Sequence, residues 1–173
     1  MKKFNRAYTL ILESIFKPAS DEELAQRKID APKIIVQEWL EEFYKRKDIH
    51  KNEDGSYDVD EDVNLVDMML EKFPLKFNKV SGSFYCYSNK LTSLEGAPTS
   101  VGGDFWCNVN NLTTLEGAPP SVGGNFLCNS NKLTSLEGAP TFVGGNFVCY
   151  KNKKKFTEED VRAVSNVKGV IYV

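Results

Sequence analysis

Over the second half of the chain, apolar and polar positions recur with one period. Val122, Phe126, Cys128, Asn131, Leu133 and Leu136 have counterparts one repeat earlier and one later. Cys86, Cys107, Cys128 and Cys149 therefore stand 21 residues apart, as do Asn89, Asn110, Asn131 and Asn152. A unit this short cannot bury its own apolar side chains, so it predicts coils stacked into a solenoid. Phe84, Phe105, Phe126 and Phe147 lie two residues before the Cys column, which places both on the core side of a short strand. The Asn column follows where the chain turns inward. A buried amide is tolerated there if it bonds the backbone of its own and adjacent coils. Leu91, Leu112 and Leu133, with Leu94, Leu115 and Leu136, then fill the interior. Glu-Gly-Ala-Pro and Gly-Gly form the return path, with Gly supplying unusual dihedrals and Pro a fixed extended one. It has too few residues for a helix and is expected to be irregular or polyproline-like.

The flanks change pattern. Thr157 and Asp160 form a capping signal, predicting a helix from Thr157 to about Ser165 and an extended segment over 168–173, together a C-terminal cap. Residues 64–90 resemble a degenerate first coil: Val80, Phe84, Cys86 and Asn89 are in register, but Phe73 and Pro74 replace Leu-Glu. Asp54-Gly55 predicts a hairpin over 48–65. Nearer the N-terminus, Phe4, Tyr8, Ile11 and Ile15 recur at helical spacing. Ser20 and Glu23 form a capping box for a second helix, and Pro32 suits the first turn of a third. In the third, Ile35, Val36, Trp39, Leu40 and Phe43 make an apolar face opposed to Glu38, Glu41 and Glu42, expected to pack on the hairpin and first coil. The acidic polar face disfavours membrane docking. The expected organisation is α+β: a helical region (1–47), a hairpin and N-terminal cap (48–69), a repeat array with a narrow parallel sheet (70–153) and a C-terminal cap (154–173).

Written from its strand, the unit is V-x-x-x-F-x-C-x-x-N-x-L-T-x-L-E-G-A-P. It resembles the leucine-rich repeat, with Phe and Cys in the two strand positions. The nearest variety is the short repeat of about 20 to 21 residues in bacterial secreted effectors and in similar bacteriophage arrays. Gly-Ala-Pro stands where that class has a Leu-Pro run, and no ubiquitin-ligase domain like that of the effectors is expected in the residues after the last repeat. The resemblance covers residues 63–173 and implies a fold more than an activity.

Charge and candidate chemistry narrow the picture little. The net charge is −2, with −5 over residues 1–69 and +3 over 70–173. Lys151, Lys153, Lys154 and Lys155 form a basic run, read as a solvated edge of the cap, because nucleic-acid binding calls for a broader stripe with interleaved aromatics. The four cysteines lack the tight pairs of zinc sites. On adjacent parallel strands their side chains do not face one another as a disulfide needs, so they are expected to be free, buried core residues. Gly102-Gly103, Gly123-Gly124 and Gly144-Gly145 lack the Lys-Ser/Thr of a phosphate loop. His50 has no nucleophile at motif spacing. No cofactor, metal or catalytic residue is expected. The free thiols and the lack of an apolar run of membrane length point to a cytoplasmic setting.

Function is expected on the outer side of the strands. Tyr85, Trp106, Leu127 and Val148 alternate with the buried columns, and Tyr87, Asn108, Asn129 and Tyr150 follow two residues on. Together they predict a partner-binding strip for another protein on a concave sheet; the N-terminal helix or a second copy of the chain could instead cover it. Residues 1–14, MKKFNRAYTLILES, resemble the leader of bacteriophage head proteins, which is cut after a hydrophobic-x-Glu triplet. Ile11-Leu12-Glu13 fits the triplet, as does Leu40-Glu41-Glu42. A virion-associated or head accessory protein is therefore the alternative to a non-enzymatic interaction module.

Overall fold

The computed structural model describes residues 20–173, and the helix expected around Phe4–Ile15 lies outside them. The chain divides into two units, 1–47 and 48–173. In the first, Ser20 Oγ accepts from Glu23 N (3.2 Å) and Glu23 Oε2 accepts from Ser20 N (2.9 Å), the expected capping box. The helix it opens, α1 (Asp21–Phe43), runs through Pro32, where a separate helix was expected to begin. Proline there forfeits one backbone hydrogen bond, whereas a break would strand several N–H and carbonyl groups at two new helix ends. Trp39 and Phe43, on the expected apolar face, are buried, their rings stacked 4.7 Å apart.

The second unit opens on the expected hairpin, β1 (Ile49–Lys51) antiparallel to β2 (Tyr57–Val59). Its turn is held by Gly55 at φ 80° and by the Asp54 carboxylate, which accepts from the N–H and hydroxyl of Ser56. From β2 onward each coil gives one short strand to each of two parallel sheets. One sheet stacks β2, β4 (Phe77–Val80), β6 (Ser100–Val101), β8 (Ser121–Val122), β10 (Phe142–Val143) and β12 (Asn166–Val167), with β1 at its edge. The other stacks β3 (Val63–Asn64), β5 (Phe84–Tyr85), β7 (Phe105–Trp106), β9 (Phe126–Leu127), β11 (Phe147–Val148) and β13 (Ile171–Tyr172). The unit is a β-solenoid of six coils, one per strand of the second sheet.

The second sheet holds the expected strands; the first runs along what was expected to be an irregular return path. The reason lies in Val59, Val80, Val101, Val122 and Val143, which are all buried. With coils stacked at strand spacing, residues before Gly-Gly pair across coils as readily as residues after it. Gly-Gly is the corner between the two strands, and close approach rather than dihedral freedom requires it. A Cβ on Gly123 would fall on the Gly102 carbonyl oxygen, and one on Gly124 on the Asp104 carboxylate. Positive φ belongs instead to another glycine column, Gly96, Gly117 and Gly138 at 87°, 87° and 79°.

The two ends depart from the expected array in ways the pairing explains. A full coil precedes the expected first one: Val59, Val63, Leu65, Met68, Leu70 and Phe73 are buried beneath Val80, Phe84, Cys86, Asn89, Leu91 and Leu94. The register between β2 and β4 slips by one residue, and the Asp58 carboxylate fills the irregularity, accepting from Lys79 N (3.1 Å), Asn78 Nδ2 (2.8 Å) and Asn52 Nδ2 (3.1 Å). At the C-terminal end Thr157 caps the short helix α2 (Glu158–Arg162). Val143 pairs with Val167 and Phe147 with Ile171, a spacing of 24 residues. The three extra residues accommodate the helix, which buries Val161.

Two columns hold the coils together inside. Phe84, Phe105, Phe126 and Phe147 are fully buried, with successive ring centroids 5.6, 5.8 and 5.0 Å apart. Each such side chain contributes about 1.5 to 3 kcal/mol by burial. Beside them runs the asparagine ladder. Asn131 Nδ2 donates to the carbonyls of Cys107 (3.0 Å) and Cys128 (3.2 Å), while its Oδ1 accepts from Leu112 N (3.1 Å). Asn110 repeats the pattern on Cys86, Cys107 and Leu91. Each amide thus satisfies its own turn and the one before it. Met68 occupies this column in the first coil, where no earlier coil offers such partners, and an apolar side chain fills the space.

Replacing Asn131 by Leu strands the Leu112 N–H and takes a donor from two carbonyls, at about 1 to 3 kcal/mol per unsatisfied group. The chemical-denaturation midpoint should fall by an amount corresponding to about 3 kcal/mol or more; an unchanged midpoint contradicts the ladder. The residue before each Asn is left-handed: Ser88, Val109, Ser130 and Lys151 have φ of 56°, 55°, 56° and 54°. Val109 is β-branched and so the most strained of the four. Val109→Asn should raise stability by about 1 kcal/mol in the same assay, with no change in the slope of the transition.

Candidate functional site

Strand alternation puts Tyr85, Trp106, Leu127 and Val148 on the outer face of the second sheet, paired Tyr85 to Trp106, Trp106 to Leu127 and Leu127 to Val148. At strand spacing this column is about 14 Å long. Register extends it beyond the expected four residues, to Asn64 at one end and to Tyr172, 48% exposed, at the other. Tyr172 was not anticipated because the last coil carries three extra residues and falls out of the sequence period. Its signal was the aromatic in the apolar C-terminal segment.

The strip is a packed surface rather than a row of free side chains. Trp106 is only partly exposed: its ring meets Tyr85 edge-on at 5.1 Å and Tyr87 at 5.8 Å with a 49° tilt. In the flanking column Tyr87 and Asn108 are partly exposed and Tyr150 is 41% exposed. Asn129, expected at the surface, is 7% exposed, its amide donating along the edge to Ser130 Oγ (3.3 Å). Trp106 Nε1 and Asn108 Oδ1 are closed to solvent and have no hydrogen-bond partner.

The other flank is consumed by the fold. Asp62 Oδ1 accepts from Ser83 N, Ser83 Oγ from Asp104 N, Asp104 Oδ1 from Asn125 N, Asn125 Oδ1 from Asn146 N and Asn146 Oδ1 from Val170 N. This second polar ladder caps a backbone donor in every next coil. The sequence places Ser83, Asp104, Asn125 and Asn146 as an exposed flank of the strip, and their mixed composition hid this role, since Ser, Asp and Asn share only the ability to accept a hydrogen bond at short reach.

The cysteines are where the sequence placed them. All four are free and buried, and Cys107 Sγ lies 3.4 Å from the Leu127 carbonyl oxygen. Burial raises the pKa of Cys86, Cys107 and Cys128 far above the ordinary thiol value, and that of Cys149 to about 11. Among the described residues no three His, Cys, Asp or Glu side chains converge as metal ligands, and no helix is long and apolar enough to cross a membrane. His50 Nε2 lies 3.1 Å from Asp60 Oδ2 in an exposed pair on the hairpin. Comparison with protein-family models, with curated proteins and with solved structures finds no match.

Buried thiols of raised pKa offer little thiolate to an electrophile. At mildly alkaline pH the native protein should resist alkylation at all four cysteines and react fully once denatured, with Cys149 the first to be modified during partial unfolding. Rapid native labelling of Cys107 and Cys128, followed by mass spectrometry, contradicts the packed core.

Proposed function

We propose that the protein is a non-enzymatic interaction module that binds another protein through the outer face of its second sheet. The observation that carries this reading is the strip of Tyr85, Trp106, Leu127, Val148 and Tyr172, contiguous across five hydrogen-bonded strands and rich in the side chains that anchor interfaces. The scaffold beneath is held by two polar ladders, so a partner meets a preorganised surface with little ordering left to do. Trp106 Nε1 and Asn108 Oδ1, a donor and an acceptor two residues apart on one strand, lack partners. A docked backbone could supply both after a small side-chain rotation, and each buried orphan costs about 1 to 3 kcal/mol until it is satisfied.

We also read the array as a leucine-rich repeat of the short type. The paired Leu columns and the asparagine ladder support the resemblance, and the additional parallel sheet on the return path, the first sheet, is its departure from the single narrow sheet expected. With the strip as interface, the exposed array columns carry specificity.

Affinity capture with the wild-type chain, with Trp106→Asp as control, identifies the partner. With that partner purified, Trp106→Ala should weaken binding by about 2 kcal/mol, roughly 30-fold. The thermal midpoint should fall less than for Asn131→Leu, since only ring contacts to Tyr85 and Tyr87 are lost. Large destabilisation with intact binding places the partner elsewhere.

A further inference from the structure

The two flanks of the strip differ in charge state, and the difference identifies the partner's chemistry. On one flank every polar side chain is engaged, the acids included: Asp62 accepts from Ser83 N, and Asp104 bonds both the N–H and the amide of Asn125. On the other, three residues past the Tyr87, Asn108, Asn129 and Tyr150 column, Lys90, Asn111, Lys132 and Lys153 stack coil upon coil, and Lys151 lies beside them. Lys90, Lys132, Lys151 and Lys153 are exposed and form no ion pair among the described residues, whereas Lys154 is matched by Asp160 at 3.2 Å. Lys151 Nζ sits 5.8 Å over the ring of Tyr150, so the cationic edge reaches the aromatic column itself. The recurrent exposed acids Glu95, Glu116 and Glu137 come five residues later in each coil, past the buried Leu pair. Adjacent coils are about 4.8 Å apart, so Lys132 and Lys153 are near neighbours whose like charges repel until an anion lies between them.

We propose that this face takes an acidic protein segment, one that lays apolar side chains on Trp106, Leu127 and Val148 and sets carboxylates against Lys90, Lys132, Lys151 and Lys153. The assignment rests on the strip being the interface, and adds the chemistry of what it binds. A single-stranded nucleic acid fits less well. Tyr85 and Tyr87 meet Trp106 at 71° and 49°, so these three rings do not present the parallel faces on which successive bases stack. The centre of the strip is aliphatic, and the cations are lysines, without the bidentate fork of arginine.

The test displays a library of short random peptides to the immobilised full-length chain and counter-selects against the Trp106→Ala chain. The expected result is enrichment of peptides with several Asp or Glu beside aromatic or aliphatic residues. A synthetic copy of the most enriched peptide should bind roughly fivefold more weakly to Lys132→Gln/Lys153→Gln, more weakly again as salt is raised, and more weakly when its own carboxylates are replaced by amides. Both lysines are exposed, so an unchanged melting temperature confirms that the double variant is folded. Neutral or basic peptides that still need Trp106, or an acidic peptide indifferent to the double variant, overturn the acidic assignment and leave the strip standing. Peptides that bind the Trp106→Ala chain as well as the wild type, or no enrichment at all, overturn both. Tighter binding of oligothymidine than of any selected peptide replaces the proposal with a nucleic-acid ligand.

Discussion

The interaction on which the solenoid depends is the bond set of one side chain, the inward asparagine. Past each second-sheet strand the coil-to-coil backbone bonds continue at residues such as Ser88, Val109 and Ser130 but skip particular groups of the inward turn. Left alone, the carbonyl of each Cys column residue and the N–H of each following Leu would be buried without partners, a cost that recurs in every coil. The amide of Asn89, Asn110, Asn131 or Asn152 supplies donors and an acceptor in the one geometry that reaches its own coil and the preceding one. No other side chain of that length carries both functions. Because every amide spans two coils, no coil is satisfied alone, and stability resides in nearest-neighbour terms.

Close approach is the companion constraint. The corner at Gly102, Gly123 and Gly144 leaves no room for a Cβ against the carbonyl of the coil beneath, and the Phe stack depends on the same coil separation. A side chain at the corner would push coils apart and loosen the asparagine bonds and the ring contacts together. Ser83, Asp104, Asn125 and Asn146 then secure the side of the second-sheet strand opposite the asparagine turn, so each strand is bracketed by polar ladders.

What was legible in the sequence follows from which constraints use one residue type. The Phe, Cys, Asn and Leu columns admit little variation, and their period disclosed the coils, the inward faces and the outward strip. The first coil was less visible because Val63, Leu65 and Met68 meet the same packing demand with different residues; burial selects volume and apolarity, not identity. The first sheet was hidden for another reason. Its strands β6, β8 and β10 are two residues long, and pairs such as Ser121–Val122 show no alternation to distinguish strand from extended loop. The continuous helix through Pro32 reflects the tolerance of one missing hydrogen bond when twenty-odd residues share a ladder, which no local signal at the proline conveys.

Columns fixed by the fold and columns free to vary are separated within each coil. Where the interior, the corners or the ladders set the requirement, successive coils carry the same residue or close equivalents. Among the columns left free, three diverge: Tyr85, Trp106, Leu127 and Val148 in one, Tyr87, Asn108, Asn129 and Tyr150 in the next, Lys90, Asn111, Lys132 and Lys153 beyond. These divergent columns adjoin one another on one face, beside the strand ends at which the asparagine ladder anchors the turns. A surface whose backbone is over-determined can exchange its side chains at small cost to folding. In this chain the place where the repeats stop repeating therefore coincides with the place where an aromatic strip meets an uncompensated row of lysines.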